Sequence, residues 1–242
     1  VTHNISPEEF SDFIRTRRSI RSFKSDPIPT DVLDRILADA KWAPSWTNTQ
    51  PYFLAIASGE VTKRLSKEYL ELFDQSIPAQ HGRKWAIIKM YLTGKGKPSW
   101  DYRTTLPYPE VLVPYRRKTG FELYSLLGIE RGDRKGRDAQ WRRNFEFFGA
   151  PTVIFVFVHD GLKQFAAQDA GLMEQTLMLS ALVNGIGTCA QGAIATWAGP
   201  VRAEFDIPEG YKFITAISMG YPDDDIINTF NPGRREIDRL EK

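Results

Sequence analysis

Apolar positions in the first part of the chain fall at helical spacing. Ser6-Pro7-Glu8-Glu9 reads as a helix start in which Ser6 caps, Pro7 takes the first helical position and Glu9 completes a capping box; Phe10, Phe13 and Ile14 follow as its buried face. Asp26-Pro27-Ile28-Pro29 prevents continuation. A second helix is expected with Thr30 as its cap and Val32, Leu33, Ile36, Leu37 and Ala40 inward, closed by Pro44. Ser45 to Pro51 is a polar loop feeding a strand from Tyr52 to Ala57, Gly59 is a turn, and a third helix covers Val61 to Phe73 with Leu65, Tyr69, Leu72 and Phe73 inside.

From about Ile77 to Arg143 helical period is patchy, and aromatic and basic residues interleave with Pro and Gly, which marks an insertion. Thr152 to Val158 is a continuous apolar, β-branched run, as in a central strand buried on both faces. Phe165 to Asn184 carries Leu172, Met173, Leu177, Met178, Leu179, Leu182 and Val183 around most of its circumference, so the helix is expected at a subunit interface. Gly185-Ile186-Gly187 ends it, Thr188 to Ala193 reads as a loop, and Phe213 to Met219 is another apolar strand stopped by Gly220-Tyr221-Pro222. The tail from Asp223 to Lys242 has no period and is expected to wrap over another surface.

Composition narrows the class. The 242 residues, 42% hydrophobic and 26% charged, suit one soluble globular domain. A net charge of +2 is too mild for a nucleic-acid binder. The one cysteine, Cys189, excludes an internal disulfide, and His3, His81 and His159 lack metal-ligand spacing. No run reaches the about 20 apolar residues of a membrane helix, and Val1-Thr2-His3-Asn4 opens no apolar leader, so a cytoplasmic protein is expected, with no membrane partner.

Three segments can carry chemistry. Arg17-Arg18-Ser19-Ile20-Arg21 suits a phosphate, which guanidinium forks match, but equally a basic helix end favoured by the helix dipole. Pro44 to Pro51 offers hydroxyl and amide groups to a polar heterocycle edge, or simply forms Asx and hydroxyl turns. Gly187-Thr188-Cys189-Ala190-Gln191-Gly192-Ala193 lets backbone approach a flat ring, or is a glycine helix stop with Cys189 as a small hydrophobe. The insertion's basic runs at Arg116 and Arg131 to Arg137 are interrupted by Glu110, Glu122, Glu130 and Asp133, and read as a solvated lid rather than a nucleic-acid surface.

In this order, with Ala43-Pro44-Ser45 through Asn48, Gln50-Pro51, Ala150-Pro151, Met219-Gly220-Tyr221-Pro222 and Arg234, the segments resemble the FMN-dependent nitroreductase family over nearly the whole chain. The resemblance implies an α+β fold, a central mostly antiparallel sheet flanked by helices, as a single domain over 1–242 with the insertion at about 77–143. It implies a homodimer that exchanges terminal segments around two FMN sites. Arg17, Ser19 and Arg234 would bind the phosphate, Arg18 would lie along the ribityl chain, and Arg21 would face the N1 and O2 edge. Pro44, Ser45, Trp46 and Asn48 would come from the partner subunit, Gln191 with Gly192 would approach N5, and Asn144 is a further contact. The long insertion is similar to that of members acting on nitrobenzoate-like or nitroaniline-like compounds, with Tyr115, Phe121 and Tyr124 as candidates for the aromatic acceptor. NADH or NADPH would be the electron donor in a ping-pong cycle that needs no side-chain acid and no metal. Reduction of quinones or enes, reductive dehalogenation, and flavin binding without turnover are the competing readings.

Overall fold

The order of apolar residues in the chain builds one sheet with a helical layer on each face. The computed structural model describes residues 5–240; His3 and the last two tail residues lie outside the described residues. Helix α1 (Pro7–Thr16) starts with the expected capping box, in which Glu9 N–H meets Ser6 Oγ at 3.1 Å and Ser6 N–H meets Glu9 at 2.8 Å. Its apolar face is not buried, however: Phe10 is 53% exposed and Ile14 38%, because no element among the described residues packs over them. Helix α2 (Thr30–Ala40) begins one residue differently from expectation. Pro29 occupies the cap position and Thr30 is already helical, without a side-chain cap bond.

Strand β1 (Tyr52–Ser58) leads through Gly59, at φ 58°, into α3 (Glu60–Gln80), which outruns the expected stop at Phe73 and passes through Pro78. The weakly patterned segment then forms α4 (Lys84–Thr93), α5 (Val113–Leu126) and α6 (Arg134–Arg142). Only Ala86 among these three helices is buried, which explains why their sequence shows so little apolar period. Strand β2 (Thr152–His159), α7 (Gln164–Val183), β3 (Gly187–Gln191), α8 (Gly199–Glu204) and β4 (Tyr211–Gly220) complete the order.

The sheet runs β1-β2-β4-β3 and every pairing is antiparallel. β2 is interior, and its alternate residues enter two cores. Val153, Phe155 and Phe157 join Leu65, Tyr69 and Phe73 of α3, Val201 of α8 and Trp197. Ile154, Val156 and Val158 join Ile36 of α2 and Met173, Leu177 and Ala181 of α7. That division is why the run is apolar without alternation.

Residues Thr188 to Gln191 are a correction to the expected loop: they form the edge strand β3, from Gly187↔Gly220 to Gln191↔Ala216. The segment is short and built of small residues, so it carries no recognisable strand signal. Gly187 is required there, since a Cβ would stand 2.8 Å from Ile20 Cγ1 and 2.9 Å from Pro222 Cγ. No helix among the described residues is long and apolar enough to cross a membrane.

Candidate functional site

The arginine segment covers the free edge of β3. After α1 the backbone becomes extended at Arg17 (φ −63°, ψ 123°). Ile20 N–H then donates to the Thr188 carbonyl at 3.0 Å, and Lys24 N–H to that of Tyr221 at 2.9 Å. Arg17 is thereby drawn into a half-buried position close to Arg234 of the tail. Burial holds its guanidinium below the ordinary value, and the Arg234 charge pushes the same way, against a smaller opposite pull from Cys189. Neither Arg17, Arg18, Arg21 nor Arg234 forms a salt bridge among the described residues. Like charges gathered without a counter-charge make a site for an anion.

Cys189 points into this cluster, beside Ser19, Arg17 and Arg21. Its thiol is 3% exposed, and burial pushes it up against the smaller lowering pulls of Arg21, Ser19 and Arg17, so it is a packed group and not a nucleophile. Arg21 donates to the Ser19 carbonyl at 3.3 Å, and its guanidinium lies 5.9 Å from the centre of the Phe230 ring. Arg18 is exposed.

Asn228, which the sequence did not single out, organises the segment from behind. Its Oδ1 accepts from Arg21 N–H at 2.8 Å and Ser22 N–H at 3.2 Å; its Nδ2 donates to the Ser22 carbonyl at 2.8 Å and the Asp223 carbonyl at 3.1 Å. Ser22 Oγ donates to Asp223 at 2.6 Å, and Arg143 bonds Ser22 Oγ at 3.3 Å. The tail is thus stitched to the arginine segment, which brings Arg234 to Arg17 across more than two hundred positions of sequence.

The turn at Gln191 and Gly192 ends β3, two residues beyond Cys189. The Gln191 side chain is buried and bonded to Ser218 and Asn144, so it faces the protein, while Gly192 is exposed. Asn144 is half-buried, with Nδ2 donating to the Trp141 carbonyl at 3.0 Å.

The remaining expected contacts stand apart. Pro44, Trp46 and Asn48 are exposed and Ser45 half-buried, and no hydrogen bond or ion pair among the described residues joins them to the arginine cluster or to Gln191. Their loop has Thr47, Asn48 and Gln50 at φ 47°, 58° and 41°, a run of left-handed non-glycine residues that must be held in place. Asp169 on α7 holds it: this residue, 4% exposed, accepts Trp46 N–H at 3.0 Å, and Trp46 packs at a tilt against Phe165 with ring centres 4.5 Å apart. The Tyr52 hydroxyl is buried nearby without a hydrogen-bond partner among the described residues, its proton retained by burial and by the Asp169 charge.

On α5, Tyr115 and Phe121 are exposed and Tyr124 half-buried. Arg235 lies 5.1 Å over Tyr115 and Arg131 5.8 Å over Phe121, so the helix lies alongside the tail that carries Arg234. A cleft of about 450 Å³ separates α5 from the tail at Lys118, Glu122 and Phe230. A larger cavity of about 640 Å³, between α3 and the segment at Gly149 to Thr152, is lined by none of the cofactor or acceptor residues expected from sequence, and its Lys63 and Arg142 already have carboxylate partners.

Comparison with known proteins gives this arrangement a family. The chain is 30% identical to the nitroreductase NfnB of Mycolicibacterium smegmatis over 87% of its length and 82% of that protein. It is 29% identical to a 4-nitrobenzoate reductase of Pseudomonas putida over 90% of its length and 87% of that protein. The crystal structure of the FMN-dependent NfnB from Mycobacterium smegmatis in complex with NADPH superimposes with a TM-score of 0.79 at 28% identity, covering 96% of this chain and 98% of that one. The profile of the nitroreductase family matches residues 14–221, from the end of α1 through β4, and the chain belongs to that family.

Proposed function

We propose that the chain is an FMN-dependent NAD(P)H oxidoreductase that reduces nitroaromatic compounds, acting as a cytoplasmic homodimer. The observation that carries the reading is the gathering of Arg17 and Arg234, two guanidiniums close enough to repel and without a carboxylate partner among the described residues, at the edge of a sheet whose next turn exposes Gly192. The residues fit FMN: its phosphate is a dianion of the kind such a pair selects, with Ser19 as an added hydroxyl donor. Arg18 is assigned to the ribityl chain, Arg21 to the N1 and O2 edge, Gly192 and the Gln191 backbone to N5, and Asn144 to the turn behind them. Bound FMN supplies two-electron chemistry, taking reducing equivalents from NAD(P)H in one half-reaction and delivering them to the nitro group in the other. The chain's part is electrostatic and geometric. A fixed cation at Arg21 stabilises the negative charge that reduction places on the ring, and the lid residues Tyr115, Phe121 and Tyr124 cover an aromatic acceptor.

Two features support the homodimer. The strained loop at Pro44 to Asn48 is exposed and distant in contact from the arginines, as expected if it completes the site of a second copy. The apolar groove of about 600 Å³ between α1 and α7, lined by Phe10, Phe13, Leu179 and Val183, leaves Val183 71% exposed in a single chain. The test is anaerobic turnover with NADPH and 4-nitrobenzoate, with products resolved by chromatography. Nitroso or hydroxylamine product formed in proportion to NADPH consumed is the expected result. Consumption with a quinone or a halophenol but not with any nitroarene would move the chain to another reaction on the same scaffold.

A further inference from the structure

Behind the turn at Gln191 a chain of hydrogen bonds, buried at its sheet end, runs from the sheet to the end of α6. Ser218 of β4 is fully buried and donates its hydroxyl to Gln191 Oε1. Gln191 Nε2 donates in turn to the Asn144 carbonyl at 3.0 Å and to Asn144 Oδ1 at 3.4 Å. Asn144 Nδ2 ends the chain at the Trp141 carbonyl, 3.0 Å away. Both ends of the Gln191 amide are therefore satisfied inside the protein, which fixes its rotamer. The backbone is held on one side by the Gln191↔Ala216 pairing and on the other by the buried Ile194 and Ala195, while a Cβ on Gly192 itself would meet no atom within 4 Å. Between those two anchors the Gln191 side chain is the polar group that sets the angle of the turn.

We propose that Ser218 and the Gln191 side chain are positioning residues that aim the backbone N–H of Gly192 at the bound flavin. The assignment rests on the reading that this turn faces the flavin ring. Without the Ser218 hydroxyl, Gln191 Oε1 is a buried acceptor with no donor, and its search for one pulls the turn with it. A displacement of about 1 Å at a reacting centre costs up to about a hundredfold in rate.

The experiment is a double-mutant cycle on the FMN-loaded protein with Ser218→Ala, Gln191→Met and both together, reading the rate of flavin reduction by NADPH and hydrogen exchange across residues 187–196. Each single variant is expected to slow reduction between about tenfold and a hundredfold and to speed exchange of the turn, while keeping its FMN, because the phosphate end is untouched. The double variant should be no slower than the slower single one, since the two groups act as one unit. Single variants with unchanged rate and exchange, or effects that multiply in the double variant, overturn the proposal. Gly192→Pro separates the underlying reading, for it removes the N–H itself, and Gln191 (φ −131°, ψ 85°) lies outside the α region that a following proline disfavours. A changed flavin spectrum and slowed reduction in Gly192→Pro, without effects in the cycle, refute the positioning role alone; an unchanged spectrum and rate in Gly192→Pro refute the reading of the turn. Should Ser218→Ala not fold, Ser218→Cys replaces the hydroxyl by a weak donor and takes its place in the cycle.

Discussion

Replacing Asn228 with alanine should cost both stability and flavin affinity. The carboxamide satisfies the N–H groups of Arg21 and Ser22 and bonds the carbonyls of Ser22 and Asp223, in a site where Asn228 is 6% exposed. A net hydrogen bond is worth about 1 kcal/mol, and a buried group left unpaired costs about 1–3 kcal/mol. The bonds share two atoms of one side chain and water enters the space left behind, so the sum is nearer about 3 kcal/mol than the total of all four. For a chain of this size, about 1 kcal/mol moves Tm by about 2–4 °C, and Asn228→Ala should lower the Tm of the apoprotein by about 6–12 °C. The holoprotein should lose more at limiting FMN, because the tail that carries Arg234 is tied to the arginine segment through this residue, and weaker binding returns less stabilisation by mass action. Thermal unfolding monitored by circular dichroism, with and without FMN, together with a fluorescence titration of the apoprotein, checks both parts. Asn228→Asp, which keeps the acceptor but loses the Nδ2 donor beside Asp223, should not rescue stability. A Tm within about 1 °C of the parent and an unchanged dissociation constant would refute the clamp.

Arg17→Gln should weaken FMN binding by about tenfold to a hundredfold, the scale of one charge-assisted bond, and reduce its salt dependence in the same titration; equal affinity at all salt concentrations would contradict the phosphate assignment. Glu174 on α7 has its carboxyl pushed up to about 7 by burial, above its ordinary 4.5. The folded state therefore holds the proton more tightly than the unfolded one, so this residue's contribution to stability is lost as pH rises from about 4.5 to about 7 and stays lost above. Glu174→Gln should raise Tm at pH 8 but not at pH 4, and an equal shift at both would show that ionisation is not the cause. Asp169→Ala frees the Trp46 N–H, so hydrogen exchange across residues 44–51 should accelerate and turnover fall, at a stability cost of about 1–2 kcal/mol; unchanged exchange would show that the loop holds itself.

The parts of the fold that the sequence disclosed are those whose burial is settled within one layer of structure. Thr152 to Val158 is apolar at every other position on both sides because two helical layers meet it, and the Ser6 and Glu9 box depends only on neighbours in the chain. Phe10 and Ile14 were misleading for the opposite reason: no surface among the described residues covers their apolar face. At the site, the arginine segment stood out through side-chain chemistry and the Gln191 loop through its small residues, while Arg234 entered only through the family resemblance. Asn228, Asp169 and Ser218 did not stand out, because a lone polar residue gives no periodic signal and becomes meaningful only when folding buries it against a backbone group. The edge strand at Thr188 was hidden by its small residues, and Cys189 was ambiguous until the neighbouring guanidiniums and its burial were known together.

The central claim is that this arginine-edged turn holds a flavin that NADPH can reduce. It is tested most directly by an anaerobic absorption spectrum of the purified, FMN-reconstituted protein before and after NADPH, and again after a nitroarene. The account predicts a bound-flavin spectrum that bleaches with one equivalent of NADPH and returns when 4-nitrobenzoate is added. A protein that folds but retains no FMN, or whose bound flavin is untouched by NADPH and NADH alike, would contradict it.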